Sequence, residues 1–259
     1  MGKILQEGLM TQIEIVTSDA ATGILLAALC SIGFALLTIL IPYLLGSINS
    51  AIIVSKVLYR DDIRRYGSGN AGMTNMLRTF GKKAAVLTLL GDVLKTVLSI
   101  LIGGLFMGLA YAKSYSLGMG GYLAAMFCVL GHVFPIYYRF KGGKGVLCAA
   151  TAIAMLSPVT FGIVLVVFAI IVGFTKYVSL GSIMSALMYP LFLFKSMQVA
   201  TGGSTPPAHM TLASFLIAAF VIWCHRTNLS RLLAGKENKI SFSKKDKFAA
   251  EGKQEDEGK

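Results

Sequence analysis

Three stretches of this 259-residue chain gather cations, glycines and small polar side chains between long apolar segments. Residues 61–83 read DDIRRYGSGNAGMTNMLRTFGKK, residues 131–146 read GHVFPIYYRFKGGKGV, and residues 223–238 read WCHRTNLSRLLAGKEN. Arginine, lysine and backbone amide groups bind phosphate oxygens well. Carboxylates, which paired acid–base catalysis and Mg²⁺ sites require, are few in these stretches. The residue types therefore predict a site for a phosphate-bearing anion.

In the first stretch, glycines let the backbone approach a ligand closely and take positive φ. Thr74 or Asn75 could cap the helix that follows and leave amide donors at its positive end. A flexible polar hairpin between two membrane helices explains the same composition equally well. The candidate ligand-binding residues of this stretch are Ser68, Gly69, Asn70, Thr74, Asn75 and Arg78.

The second stretch combines Gly142, Gly143 and Gly145 with two lysines, Lys141 and Lys144. Consecutive glycines permit a nest of backbone N–H groups around a phosphate, and the lysines add positive charge. The spacing excludes a Walker A loop, whose first glycine and final Ser/Thr are both missing. The alternative is a basic flank after a membrane span, with the glycines forming a turn.

In the third stretch, a helix would place His225, Asn228 and Leu232 on one face. The alternative is an interfacial anchor, in which Trp223 and a neighbouring arginine hold the last span at the membrane surface. We expect His225 and Asn228 to contribute to a site only if this span ends beside the other two stretches.

Composition indicates what must position these residues. Hydrophobic residues make up 55% of the chain and the mean hydropathy is +0.72, which predicts an all-α, polytopic membrane bundle in the lipid bilayer. The net charge of +12 then reflects Lys and Arg kept on the cytoplasmic side, not nucleic-acid binding. The four cysteines show no disulfide or zinc spacing. The predicted apolar segments are residues 23–45, 84–112, 118–138, 146–175, 178–197 and 209–225.

The charge distribution predicts the topology. The basic loop 46–83 is cytoplasmic by the positive-inside rule, so the N-terminus is outside, and the basic C-terminal end is cytoplasmic. An outside start and an inside end require an odd number of crossings. Pro158 divides the 146–175 segment, because proline ends or kinks a helix, and this gives seven transmembrane helices. Five crossings, with one long kinked span and a re-entrant segment, satisfy the same parity.

With this topology all three stretches meet at the cytoplasmic face. We expect one membrane domain, residues 23–238. An extracytoplasmic leader, residues 1–22, precedes it, and a charged tail, residues 239–259, follows and is expected to be disordered.

Two further patterns lie within the spans. Asp92 and Lys95 are one helical turn apart and can form an ion pair in the membrane, for which a role in helix packing is favoured over a functional one. Ser179, Ser182 and Ser185 recur at helical spacing. Close helix packing is the favoured role of such small residues, and ligand contact is the alternative.

The strings GSGNAGMTN, GHVFPIYYRFKGGKGV and HRTNLSRLLAGKE, in this order and spacing, closely resemble the bacterial acyl-phosphate:glycerol-3-phosphate acyltransferase (PlsY) family. The resemblance runs from Leu40 to Glu237. It implies a seven-helix enzyme of the inner membrane with its active site on the cytoplasmic face. Such an enzyme transfers a fatty acyl group from acyl phosphate to the 1-hydroxyl of glycerol 3-phosphate, giving lysophosphatidic acid and phosphate. It uses no cofactor or metal, and a soluble enzyme that produces acyl phosphate is the implied protein partner.

Position by position, the resemblance implies critical roles for Ser68 and Arg78, with Lys144 contacting phosphate beside a glycine loop. His225 and Asn228 match a functional pair, and Glu237 matches an acid thought to be structural. With the candidates above, the predicted catalytic residues are Ser68, Arg78, Lys144, His225 and Asn228, and the predicted substrate-binding residues are Gly69, Asn70, Thr74, Asn75, Lys141, Gly142, Gly143 and Gly145.

The chain departs from the family pattern beside the site. Asn49 stands where the family usually has proline, and Leu147 and Cys148 replace Ala and Thr after the glycine loop. Both departures put local helix geometry in question more than chemistry.

None of the three histidines has an Asp five positions later, so the His-x4-Asp base of other glycerolipid acyltransferases is missing. Acyl phosphate is a mixed anhydride with a good leaving group, and we expect the donor's own phosphate to accept the hydroxyl proton. Two other classes of protein remain as alternatives. One is a transporter for phosphorylated anions, although no inverted repeat is evident. The other is a scaffold whose basic tail holds anionic lipid.

Overall fold

The computed structural model describes residues 20–111 and 116–240, together with Gly8 and Ile13. Within these residues the chain forms helices joined by turns and contains no strand, as an all-α chain should. Most of the predicted leader, 1–22, and of the predicted tail, 239–259, lies outside the described residues. The helices are α1 (Ala20–Ser47), α2 (Ser50–Tyr59), α3 (Met73–Tyr111), α4 (Gly121–Val133), α5 (Val146–Leu156), α6 (Pro158–Thr175), α7 (Val178–Ala200), α8 (Ala208–Cys224) and α9 (Arg226–Leu233).

The helices are those of an integral membrane protein. Within the described residues, five helical segments are long and apolar enough to cross a bilayer, and α8 and α9, bent by 56° at their junction, give a sixth if they count as one span. Helix α5 has only 11 residues. At 1.5 Å per residue it covers about half of a hydrocarbon core of about 30 Å. Seven crossings therefore stay a prediction.

The break predicted within residues 146–175 is confirmed. Helix α5 ends at Leu156 and α6 begins at Pro158, with Ser157 between them in a non-helical conformation at φ −150° and ψ 70°. Proline is tolerated at the first position of a helix because its missing N–H would have no partner there. The Ser157 hydroxyl lies 2.9 Å from the Tyr122 hydroxyl of α4, which fixes this corner.

Asn49, where the family pattern has proline, is the N-cap of α2. Its side-chain oxygen accepts a hydrogen bond from the backbone N–H of Ile52 at 3.0 Å. Its amide nitrogen donates to the carbonyl oxygen of Ala71 at 3.3 Å. The departure therefore supplies a helix cap and ties the end of α1 to the first polar stretch.

Two glycines allow α1 and α4 to cross closely. A Cβ on Gly46 would lie 2.2 Å from the carbonyl oxygen of Cys128, and one on Gly131 would lie 2.2 Å from that of Tyr43. Helix α1 also packs on α3, and α7 packs on α6 and α8. A third glycine, Gly81, interrupts α3 with φ 84°, so the turn that carries Arg78 precedes the membrane-crossing part. Between these helices lies a cavity.

Candidate active site

The cavity has a volume of about 360 Å³ and is lined by all three polar stretches together with α5, α6, α7 and α8. Apolar side chains farther along these helices line its interior, among them Ile153, Phe161, Val164, Phe168 and Ile217. The cavity is therefore amphipathic, with a polar mouth at the helix ends. The predicted site residues that line it are Ser68, Asn70, Thr74, Asn75, Arg78, Lys144, Gly145, His225 and Asn228.

Asn75 organises the first stretch. Helix α3 begins at Met73, so the expected capping role of Thr74 or Asn75 is wrong, because both lie inside the helix. The buried Asn75 side chain instead accepts a hydrogen bond from the Ser68 N–H at 3.1 Å. Its amide nitrogen donates to the carbonyl oxygens of Tyr66 at 2.9 Å and Asn70 at 3.1 Å. One side chain thus folds the loop that presents the Ser68 hydroxyl.

The glycines of this loop are needed for its shape. Gly67 and Gly69 have φ 57° and 70°, a region that glycine enters without the steric cost other residues meet. The Gly69 N–H donates to the Tyr66 carbonyl oxygen at 2.9 Å, and Gly69 does not line the cavity. Its predicted contact with substrate has no direct geometric support.

Arg78 places a charged donor group at the cavity mouth. Its Nη2 donates to the carbonyl oxygen of Asn238 at 2.9 Å. Its Nε is buried without a hydrogen-bond partner, a condition shared, among the residues described, only with Nε2 of His209. Burying a charged donor without a partner is costly, and Arg78 lines the cavity mouth. An anion at this position would satisfy it.

The second stretch divides between structural and ligand-facing residues. The N–H groups of Gly142 and Gly143 donate to the carbonyl oxygens of Val133 and His132, each at 3.1 Å. These amides are engaged within the protein, so the expected open nest around a phosphate is not formed by them. Lys141 is exposed on the outer surface, away from the cavity. Gly145, at φ 74°, starts α5 and lines the cavity.

Lys144 points inward and is held by a chain of polar side chains. Its Nζ donates to Oδ1 of Asn228, whose Nδ2 donates to Oε1 of Glu237 at 2.7 Å. Glu237 also accepts from Ser179 at 2.9 Å and from Arg231 at 2.8 Å. Burial, with the nearby positive charge of Arg231, lowers the pKa of Lys144 to about 8. An anion would restore its ordinary preference for the charged form.

Glu237 serves this chain as an acceptor. Partial burial opposes its ionisation, but the hydrogen bonds from Arg231, Asn228 and Ser179 outweigh this and lower the pKa of Glu237. A carboxylate with three donors is unsuited to take up a proton. It fixes the Asn228 amide so that the oxygen faces Lys144, which agrees with the structural role that the resemblance implied.

His225 lies at the junction of α8 and α9 and lines the cavity. Its Nδ1 is 2.7 Å from the carbonyl oxygen of Val221. A carbonyl only accepts hydrogen bonds, so Nδ1 carries the proton, and in the neutral ring Nε2 is an acceptor. Trp223 and Arg226 are exposed and stack at 4.4 Å, as the interfacial-anchor alternative predicted. The third stretch therefore contributes residues both to the cavity lining and to the outer surface.

Sequence reasoning ranked one set of cavity residues too low. Ser179, Ser182 and Ser185, for which packing was the favoured role, all line the cavity, and Ser179 also bonds Glu237. Their spacing of three along α7 was the available signal, since it places them on one face. Asp92 and His132 also border the cavity.

The fold and cavity define an integral membrane protein that can accommodate a phosphate-bearing amphiphile. Residues 36–235 match the family model described as glycerol-3-phosphate acyltransferase, and the chain belongs to this family. It is thus a membrane acyltransferase of phospholipid synthesis. The transporter and scaffold alternatives are set aside, because neither describes this family.

Relatives and solved structures agree with this assignment. A glycerol-3-phosphate acyltransferase of Cupriavidus necator is 41% identical over 212 residues, which cover 81% of this chain and 98% of the relative. One of Clostridioides difficile is 42% identical over 204 residues, covering 79% and 94%. The crystal structure of PlsY, an integral membrane glycerol 3-phosphate acyltransferase in its glycerol 3-phosphate form, matches with a TM-score of 0.68 at 34% identity, covering 80% of this chain and 96% of that one. A lysophosphatidic acid form matches with a TM-score of 0.66.

Proposed function

We propose that this protein transfers a fatty acyl group from acyl phosphate to the 1-hydroxyl of glycerol 3-phosphate, which yields lysophosphatidic acid and phosphate. The observation that carries the proposal is the cavity, whose cationic mouth continues into an apolar interior. An acyl chain fits the apolar interior, and phosphate groups fit the cationic mouth. Glycerol 3-phosphate and lysophosphatidic acid forms of a structurally similar enzyme support the same acceptor and product.

Arg78 and Lys144 bind the phosphate groups in this proposal. Both are partly buried at the mouth, where reduced solvation strengthens their attraction for an anion. Within the described residues Arg78 offers an Nε–H without a partner, and Lys144 donates to the neutral side-chain amide of Asn228. The Ser68 hydroxyl, at the rim of the same cavity, completes the polar end.

The chemistry requires little activation by the enzyme. The 1-hydroxyl oxygen attacks the carbonyl carbon of acyl phosphate, the bond between this carbon and the bridging phosphate oxygen breaks, and phosphate departs with the hydroxyl proton. Because Nδ1 of His225 holds its proton against Val221, Nε2 is suited to accept a hydrogen bond from the attacking hydroxyl and orient it. Asn228 keeps Lys144 directed at the phosphate.

The protein supplies position and electrostatics. Holding two reactants in near-attack geometry lowers the barrier by about 7–11 kcal/mol. Each donor aimed at the charge that develops in the transition state contributes about 2.7–4 kcal/mol. These two effects suffice for a donor as reactive as a mixed anhydride.

The proposed topology has seven crossings, the N-terminus outside, the C-terminus inside and the site on the cytoplasmic face of the inner membrane. Residues 23–238 form the catalytic domain, and an acyl-phosphate-producing enzyme delivers the donor from the cytoplasm. A cysteine in place of the exposed Lys82 should react with an impermeant maleimide only in inverted vesicles. Reaction in right-side-out vesicles would contradict this orientation.

The decisive assay compares donors. Purified protein given glycerol 3-phosphate should form lysophosphatidic acid and equimolar phosphate with palmitoyl phosphate, and no product with palmitoyl-coenzyme A. Ser68→Ala should abolish the reaction with palmitoyl phosphate. Deletion of residues 241–259, which keeps the hydrogen bond from Ile240 to Lys176, should preserve it. Product from palmitoyl-coenzyme A alone would refute the proposed donor.

A further inference from the structure

A cluster of charged side chains lies in the membrane below the glycine loop. Asp92 and Lys95 of α3 form an ion pair with 2.8 Å between Oδ1 and Nζ, as the sequence predicted. The same Nζ lies 2.9 Å from Nδ1 of His132, which belongs to α4 and closes the cluster. All three are buried, with relative exposures of 1%, 5% and 4% for Asp92, Lys95 and His132.

The cluster connects the end of α1 with α3 and α4. Lys95 also donates to the carbonyl oxygens of Gly46 at 3.1 Å and Ile48 at 2.9 Å, where α1 ends. The Ser50 hydroxyl donates to Asp92 at 3.0 Å. Buried ion pairs are stable only when further hydrogen bonds offset their desolvation, and these bonds meet that need.

The Lys95 contact determines the tautomer of His132. An ammonium group has only donors to offer, so Nδ1 at 2.9 Å is the acceptor in this contact, although it also lies 3.6 Å from Oδ1 of Asp92. The Lys95 contact therefore favours the neutral ring with its proton on Nε2. This is the opposite tautomer to that of His225.

The Nε2 edge of His132 lies directly against the glycine loop. A Cβ on Gly143 would be 2.1 Å from Nε2 of His132 and 2.8 Å from the carbonyl oxygen of Ala71. The Gly143 N–H donates a hydrogen bond to the His132 carbonyl oxygen. The Asn49 side-chain amide donates one to the Ala71 carbonyl oxygen. His132 thus lies where the first and second polar stretches meet. The residue that its ring contacts, Gly143, directly precedes Lys144 in the loop.

A metal ion is a poor occupant of this cluster. Ligand atoms of Asp92, His132 and Cys148 lie within 4.8 Å of one another, which alone would suit a small metal site. However, the Lys95 ammonium bonds both the Asp92 and the His132 ligand atoms. It occupies the place that a cation would need.

We propose that the Asp92–Lys95–His132 cluster is a positioning device for the glycine loop, in which Lys95 fixes the tautomer and orientation of His132 and the ring in turn supports Gly143, so that Lys144 faces the bound anion. His132 is thus a positioning residue for substrate binding. The kinetic test of this inference rests on the proposed function, whereas its binding test does not.

The central variant is His132→Ala. It should raise KM for glycerol 3-phosphate at least tenfold and lower kcat less than threefold, because the displaced loop weakens the contact of Lys144 with the bound anion while Ser68, Arg78 and His225 remain in place. In His132→Asn the KM should return most of the way to the wild-type value, since the side-chain oxygen of asparagine can still accept a hydrogen bond from Lys95. The control is His209→Ala, near Gly118 at the other end of the bundle, which should leave KM unchanged.

A double substitution tests the contact itself. Gly143→Ala alone should also raise KM, because its Cβ meets the His132 ring. In the combined variant the ring is gone, so the increase should be smaller than the product of the two single effects. Independent, multiplicative effects would overturn the proposed contact.

Binding without the acyl donor separates this inference from the proposed function. Glycerol 3-phosphate should raise the Tm of the wild-type protein, and this rise should be lost in His132→Ala and recovered in His132→Asn. An inactive wild-type enzyme with acyl phosphate as donor would contradict the proposed function but not the positioning role of His132. An unchanged KM and an unchanged ligand-induced Tm shift in His132→Ala would contradict the positioning role but not the proposed function. If His132→Ala does not fold, an at least tenfold higher KM in Lys95→Met supports the inference and a wild-type KM overturns it.

Discussion

The charged clusters in the membrane and at the cavity mouth contain similar residues but differ in how they are paired. In the first, Lys95 has a carboxylate, two carbonyl oxygens and an imidazole nitrogen around its ammonium. In the second, Arg78 has a buried Nε without a partner, and Lys144 bonds the neutral Asn228 amide. Residue type alone therefore does not separate a structural charge from a ligand-binding one. The hydrogen-bond partners that the protein provides for each charged group separate them.

The two histidines show the same contrast. Nδ1 of His132 accepts from an ammonium, whereas Nδ1 of His225 donates to the carbonyl oxygen of Val221. The first ring presents an N–H to the glycine loop, and the second is left with an acceptor at Nε2 for the cavity. Opposite tautomers thus give one histidine a supporting role and the other a role towards substrate.

Among substitutions of the charged residues, the largest effect should come from Lys144→Ala, which removes the inward-facing ammonium of the mouth cluster. Loss of a donor that stabilises transition-state charge costs about 10²- to 10³-fold, so kcat/KM with palmitoyl phosphate should fall by about this factor. The exposed Lys82→Ala is the matched control and should retain wild-type kinetics. Wild-type turnover by folded Lys144→Ala would contradict the role of the mouth cluster.

Arg78→Ala should have the next largest effect, about 10²-fold on kcat/KM, since it removes the guanidinium whose Nε–H has no partner in the part of the chain that the structure describes. Arg65→Ala, whose side chain is 77% exposed in an ion pair with Asp61, should change the same quantity little. Equal losses in the two variants would indicate a general dependence on surface charge rather than a specific site.

The pH profile should report the weak pairing of Lys144. Its pKa of about 8 means that the charged form disappears as pH rises above 8, so kcat/KM should fall about tenfold per pH unit there. The fall of kcat should occur at a higher pH than the fall of kcat/KM, because bound phosphate stabilises the charged form of Lys144 and so raises its pKa. Glu237→Gln removes a charge that raises this pKa and should move the fall of kcat/KM to lower pH. A flat profile between pH 7 and 10 would be inconsistent with this account.

The smallest effect on catalysis should come from Gly131→Ala, at the crossing of α1 and α4 and outside the cavity lining. Its Cβ would collide with the Tyr43 carbonyl oxygen, and overpacking of this kind costs about 1–3 kcal/mol. We expect a lower Tm with unchanged KM. Gly162→Ala, where nothing lies within 4 Å, should leave the Tm unchanged or raise it. A shifted KM in Gly131→Ala would show that this crossing also positions the site.

Much of the architecture could be predicted from the sequence. The conformational preference of proline predicted the helix break at Pro158. The topology predicted that the three polar stretches meet, and the hydrogen bonds from Lys144 to Asn228 and from Arg78 to Asn238 confirm this. Residue types and spacing alone could not tell which lysine of the loop turns inward, because Lys141 and Lys144 differ only in tertiary contacts. The family resemblance assigned the phosphate contact to Lys144, and Lys144 is the one that lines the cavity.

Other roles also depended on contacts between distant residues. Asn75 folds its own loop, and the amides of Gly142 and Gly143 are used by carbonyl oxygens at the end of α4. Residue types identified these positions as important. They did not distinguish a hydrogen bond to substrate from one to the protein's own backbone.

The most direct test of the account is calorimetric titration of glycerol 3-phosphate into the purified protein and into Arg78→Ala, Lys144→Ala and Lys82→Ala. The account predicts saturable binding to the wild-type protein and to Lys82→Ala, and at least tenfold weaker binding when either mouth cation is removed. Wild-type affinity in both Arg78→Ala and Lys144→Ala would contradict the claim that Arg78 and Lys144 hold the substrate at the cavity mouth.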